Sequence, residues 1–136
     1  MNLETLITIR LAKAFDYLAV RAGRVGKYKR FKEETYHPIL GRAKSFWEEV
    51  ETRVIAIKPQ QETVKLPEGI ADQVNSIFAL KKSVFKRQPG ETGPITPKPG
   101  DELEFNGELW TSDLGGRVYY WTDPTGEVWF VAMRRV

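Results

Sequence analysis

The chain of 136 residues contains no cysteine and a single histidine, His37. Without cysteine there is no disulfide framework, no thiolate metal site and no cysteine nucleophile. One imidazole excludes every site that needs two, the HExxH zinc proteases among them. No run of 18 apolar residues occurs, so no membrane-spanning helix is expected. Arg10 and Lys13 interrupt the only apolar N-terminal stretch, which argues against a signal peptide. These absences point to an intracellular, non-secreted protein that contacts no membrane, has no cofactor or metal, and is not an enzyme. What remains is enough for one globular core: 41% hydrophobic residues, 29% charged, and 16 aromatic rings.

Charge is unevenly placed. Arg21, Arg24, Lys27, Lys29, Arg30 and Lys32 follow one another with no acid between them. From Asp101 to Phe130 there are seven acids and one base, Arg117. The basic stretch is a candidate contact stripe for a phosphate backbone. The two opposite-signed regions are equally suited to pairing between copies of the chain.

Leu3, Leu6, Ile7, Leu11, Ala14, Phe15, Leu18 and Ala22 recur at helical spacing and predict an amphipathic helix over residues 3–22. Its apolar stripe needs a partner, either the body of the chain or a neighbouring subunit. Residues 25–38 have a weak pattern, and Tyr36-His37-Pro38-Ile39-Leu40-Gly41 reads as a turn between extended segments. Residues 43–57 are ambiguous: Ala43, Phe46, Trp47, Val50 and Val54 fit a helical period, with Ser45 and Glu48 as a capping box, whereas Val50–Ile57 alternates and reads as a strand. Val74–Arg87 favours one strand or a broken pair. Two long polar loops are expected, Gln60–Asp72 and Gln88–Gly100, the second with four prolines and projecting or running extended.

The last third is a meander. Asn106-Gly107, Gly115-Gly116 and Asp123-Pro124-Thr125-Gly126 separate four short alternating segments, the first being the strongest hairpin signal in the chain. The predicted architecture is mainly β: a small antiparallel barrel or sandwich at residues 25–136, preceded by the helix of residues 1–24. His37 reads as a turn residue, Glu48 and Glu49 as a solvated face, and Asp101, Glu102 and Glu104 as exposed charges on a hairpin strand. Trp110, Trp121 and Trp129 read as core, with base stacking as the alternative.

From Gly26 to Val136 the order of features resembles the head-closure and head–tail connector proteins of tailed bacteriophages. The turn at Tyr36–Gly41, the strand Val54-Ile55-Ala56-Ile57 and the strand Phe78-Ala79-Leu80 match in order. So does Pro99-Gly100-Asp101-Glu102-Leu103-Glu104-Phe105-Asn106-Gly107-Glu108-Leu109-Trp110. The N-terminal helix and Thr111-Ser112-Asp113, which stands where the family usually has Val-Val, depart from the pattern. The resemblance implies a ring-forming β-barrel of the virion neck, assembled in the host cytoplasm between a portal-bound adaptor and the tail. Such a ring retains packaged DNA and gives the tail its platform. Within it, the expected gate or partner residues are Gln60, Glu62, Lys65, Pro67, Glu68 and Gly69 of the first loop. In the second they are Gln88, Pro89, Gly93, Pro94 and Pro97. Non-specific contact with packaged DNA is a further expectation. The competing readings are a tail-completion or terminator-like virion protein and a small barrel that binds nucleic acid.

Overall fold

A computed structural model describes residues 13–58, 66–67 and 69–136. The chain folds into a closed six-stranded antiparallel barrel with one short helix, α1 (Phe15–Arg21), near its start. The strands are β1 (Arg24–His37), β2 (Gly41–Ile57), β3 (Ser76–Lys81), β4 (Glu102–Phe105), β5 (Glu108–Thr111), β6 (Tyr120–Thr122) and β7 (Val128–Arg135). Their order around the barrel is β3-β2-β1-β4-β5-β7, and β7 pairs back onto β3 to close it.

The wall made by β3 and β7 explains the two most apolar runs of the sequence. Six residue pairs join these strands, from Ser76 opposite Met133 to Lys81 opposite Val128. One alternation set, Phe78, Leu80, Trp129, Val131 and Met133, points into the barrel and packs with Tyr28, Val54, Leu103, Phe105 and Trp110. The other set, Ile77, Ala79, Val128, Phe130 and Ala132, points outward into a second core. Phe15 and Ala19 of α1, Ile70 and Leu114 cover that outer face. A strand buried on both sides has no polar face to display, hence its unbroken apolar composition. The described turns of the helix therefore lie on the chain's own barrel; residues 3–12 of the predicted helix lie outside the described residues.

The hairpin at Asn106-Gly107 forms as its sequence demands. Asn106 and Gly107 have φ of 53° and 74°, and β4 pairs with β5 from Glu102 opposite Thr111 to Phe105 opposite Glu108. The simple meander does not form. β5 lies beside β7 through Trp110–Arg135 and Thr111–Arg134, while β6 pairs with β7 further along, at Val131 to Trp129. The intervening chain leaves the barrel wall to bury Leu114 in the outer core, which separates β6 from β5.

The largest difference from the sequence reading concerns residues 25–57. The weakly patterned stretch is part of a 14-residue strand, and the ambiguous segment lies wholly within a 17-residue one, so the strand reading of Val50–Ile57 extends back to Gly41. Ser45 caps no helix; its hydroxyl donates to the Glu33 carbonyl across the hairpin (3.3 Å). Only the Arg24–Arg30 half of β1 and the matching half of β2 belong to the barrel. Beyond them the two strands run on together as an arm, residues 31–46, paired only to each other as far as the turn at Pro38–Leu40.

Candidate functional site

The arm leaves the barrel at a defined joint. Pairing between β1 and β2 slips between Arg30 and Phe31 and again between Phe31 and Glu33, an irregularity of the kind that bends a hairpin. At the slip the Phe31 N–H donates to Asp101 Oδ1 (2.7 Å). Asp101 Oδ2 accepts the Tyr28 hydroxyl (2.6 Å) and the Lys98 N–H (3.1 Å). Gly100 must be glycine here: its φ is +101°, and a Cβ would sit 3.0 Å from the Phe31 ring.

Asp101 was expected as an exposed strand charge; it is fully buried. Burial lifts its carboxyl from 3.8 to about 6, against the opposing pull of the Tyr28, Phe31 and Lys98 hydrogen bonds and the Arg30 charge. Burial, with the Asp101 charge beside it, also pushes the Tyr28 hydroxyl well above its ordinary range.

Two residues along β1 from Tyr28, Arg30 also points inward. It is 4% exposed and is removed from the expected contact stripe. Its Nε donates to Glu48 Oε1 (2.6 Å), Nη1 to Glu91 Oε2, and Nη2 to Glu91 Oε1 (2.9 Å) and the Lys86 carbonyl (2.9 Å). Burial pulls the guanidinium down, but the Glu91 and Glu48 hydrogen bonds outweigh it and leave Arg30 raised. The same bond from Arg30 holds the Glu91 carboxyl at about 2. Glu48, read as a solvated carboxylate, also accepts the Lys86 N–H (3.0 Å) and a Gln88 Nε2 hydrogen (3.2 Å).

The loop 88–100 is thus tied down at both ends, by Glu91 to Arg30 and by Asp101 to Tyr28 and Phe31. It does not project: Pro97 is buried, Gln88 half-buried and Ile95 packed on the barrel core, leaving Pro89, Gly93 and Pro94 exposed. Between the two anchors lies a cleft of about 310 Å³ lined by Phe31, Lys32, Trp47, Thr96 and Lys98. In the other candidate loop, Gln60, Glu62, Lys65 and Glu68 lie outside the described residues. Pro67 and Gly69 are exposed in a hydrogen-bonded turn whose Ile70 is part of the outer core, so that end of the loop is structural.

The basic stretch does not form one stripe, because a strand sends neighbours to opposite faces. Arg21 and Arg24 are exposed, and Lys32 stands over the Trp47 ring (4.7 Å). Lys27 and Lys29 lie beside β4, opposite Glu104 and Glu102. Lys29 pairs with Glu104 (2.9 Å) and Lys44 with Glu102 (3.3 Å). The basic front and the acidic back thus meet within one molecule, and these charges are not free for a neighbour. Trp110 and Trp129 are core residues, closed to base stacking.

At the far end of the arm, His37 Nδ1 accepts the N–H groups of Ile39 (3.2 Å) and Leu40 (3.3 Å) and so shapes the turn. The turn presents Tyr36, Ile39 and Leu40, exposed by 73%, 87% and 80%. Turns are ordinarily polar. Two branched aliphatic residues between Pro38 and Gly41 were the available sequence signal for a contact surface, and reading them only as punctuation missed it. The site as a whole is an arm with an apolar tip, aimed by a buried polar joint. Among the described residues no group of three or more His, Asp or Glu side chains is placed to hold a metal ion, and no helix is long and apolar enough to cross a membrane. No protein-family model and no curated protein matches the chain.

Proposed function

We propose that this chain is a structural subunit of a tailed-phage neck, assembling as a ring at the head–tail junction that retains packaged DNA and carries the tail. The observation that carries this reading is the arm. Its residues 32–40 are exposed throughout, it is braced by Arg30, Glu48, Glu91 and Asp101, and it ends in three exposed apolar side chains. An exposed apolar cluster held on a rigid support is a surface for another protein. The barrel gives such a subunit its stiff body, and the ordered resemblance of Tyr36–Gly41, Val54–Ile57, Phe78–Leu80 and Pro99–Trp110 supports the neck assignment. Its partners in this reading are copies of itself, a portal-bound adaptor and tail proteins, met in the host cytoplasm during assembly. Within the basic stretch Arg30 is consumed inside the protein and Lys29 is paired, so any non-specific contact with packaged DNA falls to Arg21, Arg24, Lys27 and Lys32.

Particles imaged with the chain labelled test the reading. The label is expected in a ring at the capsid–tail junction, and a label anywhere else overturns it. Particles assembled with an Ile39→Asp, Leu40→Asp chain should leave DNA unretained and tails unattached. Filled, tailed particles from that chain would remove the arm from the mechanism.

A further inference from the structure

The two slips at the root of the arm do more than bend it. Each leaves one residue outside the ladder, Trp47 of β2 at the first and Lys32 of β1 at the second. A bulge re-aims the side chain of the residue it leaves out. These two meet: Lys32 Nζ lies 4.7 Å from the centre of the Trp47 ring, and both line the cleft of about 310 Å³ between the arm and the loop 88–100. Phe31, Pro94 and Pro99 add to its apolar lining, and Lys98 joins it from the loop.

The cleft lies where β1 loses a neighbour. β4 pairs with β1 only at Lys27–Lys29. The Asp101 side chain closes that ladder by taking the Phe31 N–H, and at Gly100, with φ of +101°, the chain turns away. Among the described residues no strand lies beside the outer edge of β1 from Lys32 to Tyr36. Such an edge offers its backbone N–H and C=O groups to an added strand.

Charge decides what that strand carries. Residues 30–48 and 86–100, the arm and the loop beside it, hold seven bases against four acids. Of the acids, Glu48 and Glu91 are bound to Arg30, and Glu34 faces Arg42 at 3.8 Å. Asp101, in the cleft wall, is engaged by Tyr28, Phe31 and the Lys98 N–H. Among the described residues Lys32, Lys98, Lys86 and Arg87 have no carboxylate partner. A single-stranded nucleic acid is anionic too, but Lys32 stands over the ring on which a base would stack, and a sugar–phosphate backbone does not pair with a sheet edge.

We infer that the cleft receives an extended acidic segment of another polypeptide, added as a strand to the open Lys32–Tyr36 edge of β1, with its carboxylates on Lys32 and Lys98 and its chain along Phe31 and Trp47. The contact goes beyond the neck reading and does not rest on it.

The probe is a fluorescein-labelled peptide of alternating Glu and Val, titrated into the full chain. Saturable binding is expected, with slowed hydrogen exchange at the amides of residues 32–36. Lys32→Gln with Lys98→Gln should weaken binding about tenfold, and Lys32→Glu with Lys98→Glu should weaken it further. Both lysines are exposed, and an unchanged urea midpoint confirms that the variants fold. No saturable binding, equal binding of an alternating Lys and Val peptide, or unchanged affinity in both variants overturns the inference. Binding without protection of residues 32–36 overturns it as well, and so does tighter binding of a thymidine oligonucleotide than of the peptide. If the peptide fails while the label remains in the neck, the contact is wrong and the function stands. If the peptide binds as expected and the label lies elsewhere, the reverse holds.

Discussion

β1 and β2 are each one continuous strand with two different environments. Over residues 24–30 and 48–57 they are barrel staves, with Tyr28, Arg30 and Val54 turned into the interior. Beyond the half-buried root formed by Phe31 and Phe46 (6.4 Å apart), residues 32–40 of the same two strands and their turn are exposed, and the support is cross-strand: Thr35 to the Ala43 carbonyl (3.4 Å), Arg42 near Glu34. A two-stranded ribbon is marginal in water unless something larger holds it. Here the barrel holds one end, and the joint at Asp101 and Arg30 transmits that stiffness outward. Stability resides in the first half and exposure in the second.

The comparison can be broken most severely in the body. Phe78→Ala opens the middle of the barrel interior and should lower the unfolding free energy by about 3–5 kcal/mol in urea titration. A loss under 1 kcal/mol would mean that the interior is not the packed core described.

Arg30→Met comes next. It leaves Glu48 and Glu91 in buried surroundings without their cation and should cost about 3 kcal/mol, with faster hydrogen exchange over residues 86–91. Arg30→Met combined with Glu48→Gln and Glu91→Gln should recover most of that loss, because the stranded charges are gone.

The joint also sets a pH dependence. Asp101 has a folded value of about 6 against an ordinary 3.8, so the native state binds the extra proton between them. Its contribution is full below about pH 4 and is lost as pH rises through about 6. Glu91 runs the other way: its contribution is present above 4.5 and is lost as pH falls through about 2. The urea midpoint of Asp101→Asn should therefore lack the decline that the unmodified protein shows from pH 4 to 6. Equal slopes for the two would show that the carboxylate is not buried at the joint.

The smallest effects belong to the arm. Phe46→Ala removes one edge-to-face ring contact and should cost about 1 kcal/mol. Ile39→Ser, at an 87% exposed position of the tip, should change stability by less than about 0.5 kcal/mol in the same urea titration. A tip substitution that unfolded the barrel would erase the division between the two halves.

What could be read from the sequence follows the same division. Local chemistry was legible: the Asn106-Gly107 hairpin needs only its own two residues, and the β7 run needs only its composition. The turn at Tyr36–Gly41 was visible for the same reason. The arm's strands were not, because alternation appears only where one face is dry, and residues 32–37 are exposed on both. The joint was hidden differently. Arg30 meets partners 18 and 61 positions away, and Asp101 meets Tyr28 across 73. No local pattern distinguishes a basic residue that closes a buried network from its neighbours Lys29 and Lys32, which do not.

β7 has a consequence during synthesis. It seals the barrel against β3 on one edge and β5 on the other, and no earlier strand can substitute for it. Until the ribosome has released Arg135, a nascent chain carries two open sheet edges and an uncovered Phe78 and Leu80. Such a half-built barrel is the state most prone to pair with its neighbours on a polysome, so chaperone capture of this chain before its own closure is the expected safeguard.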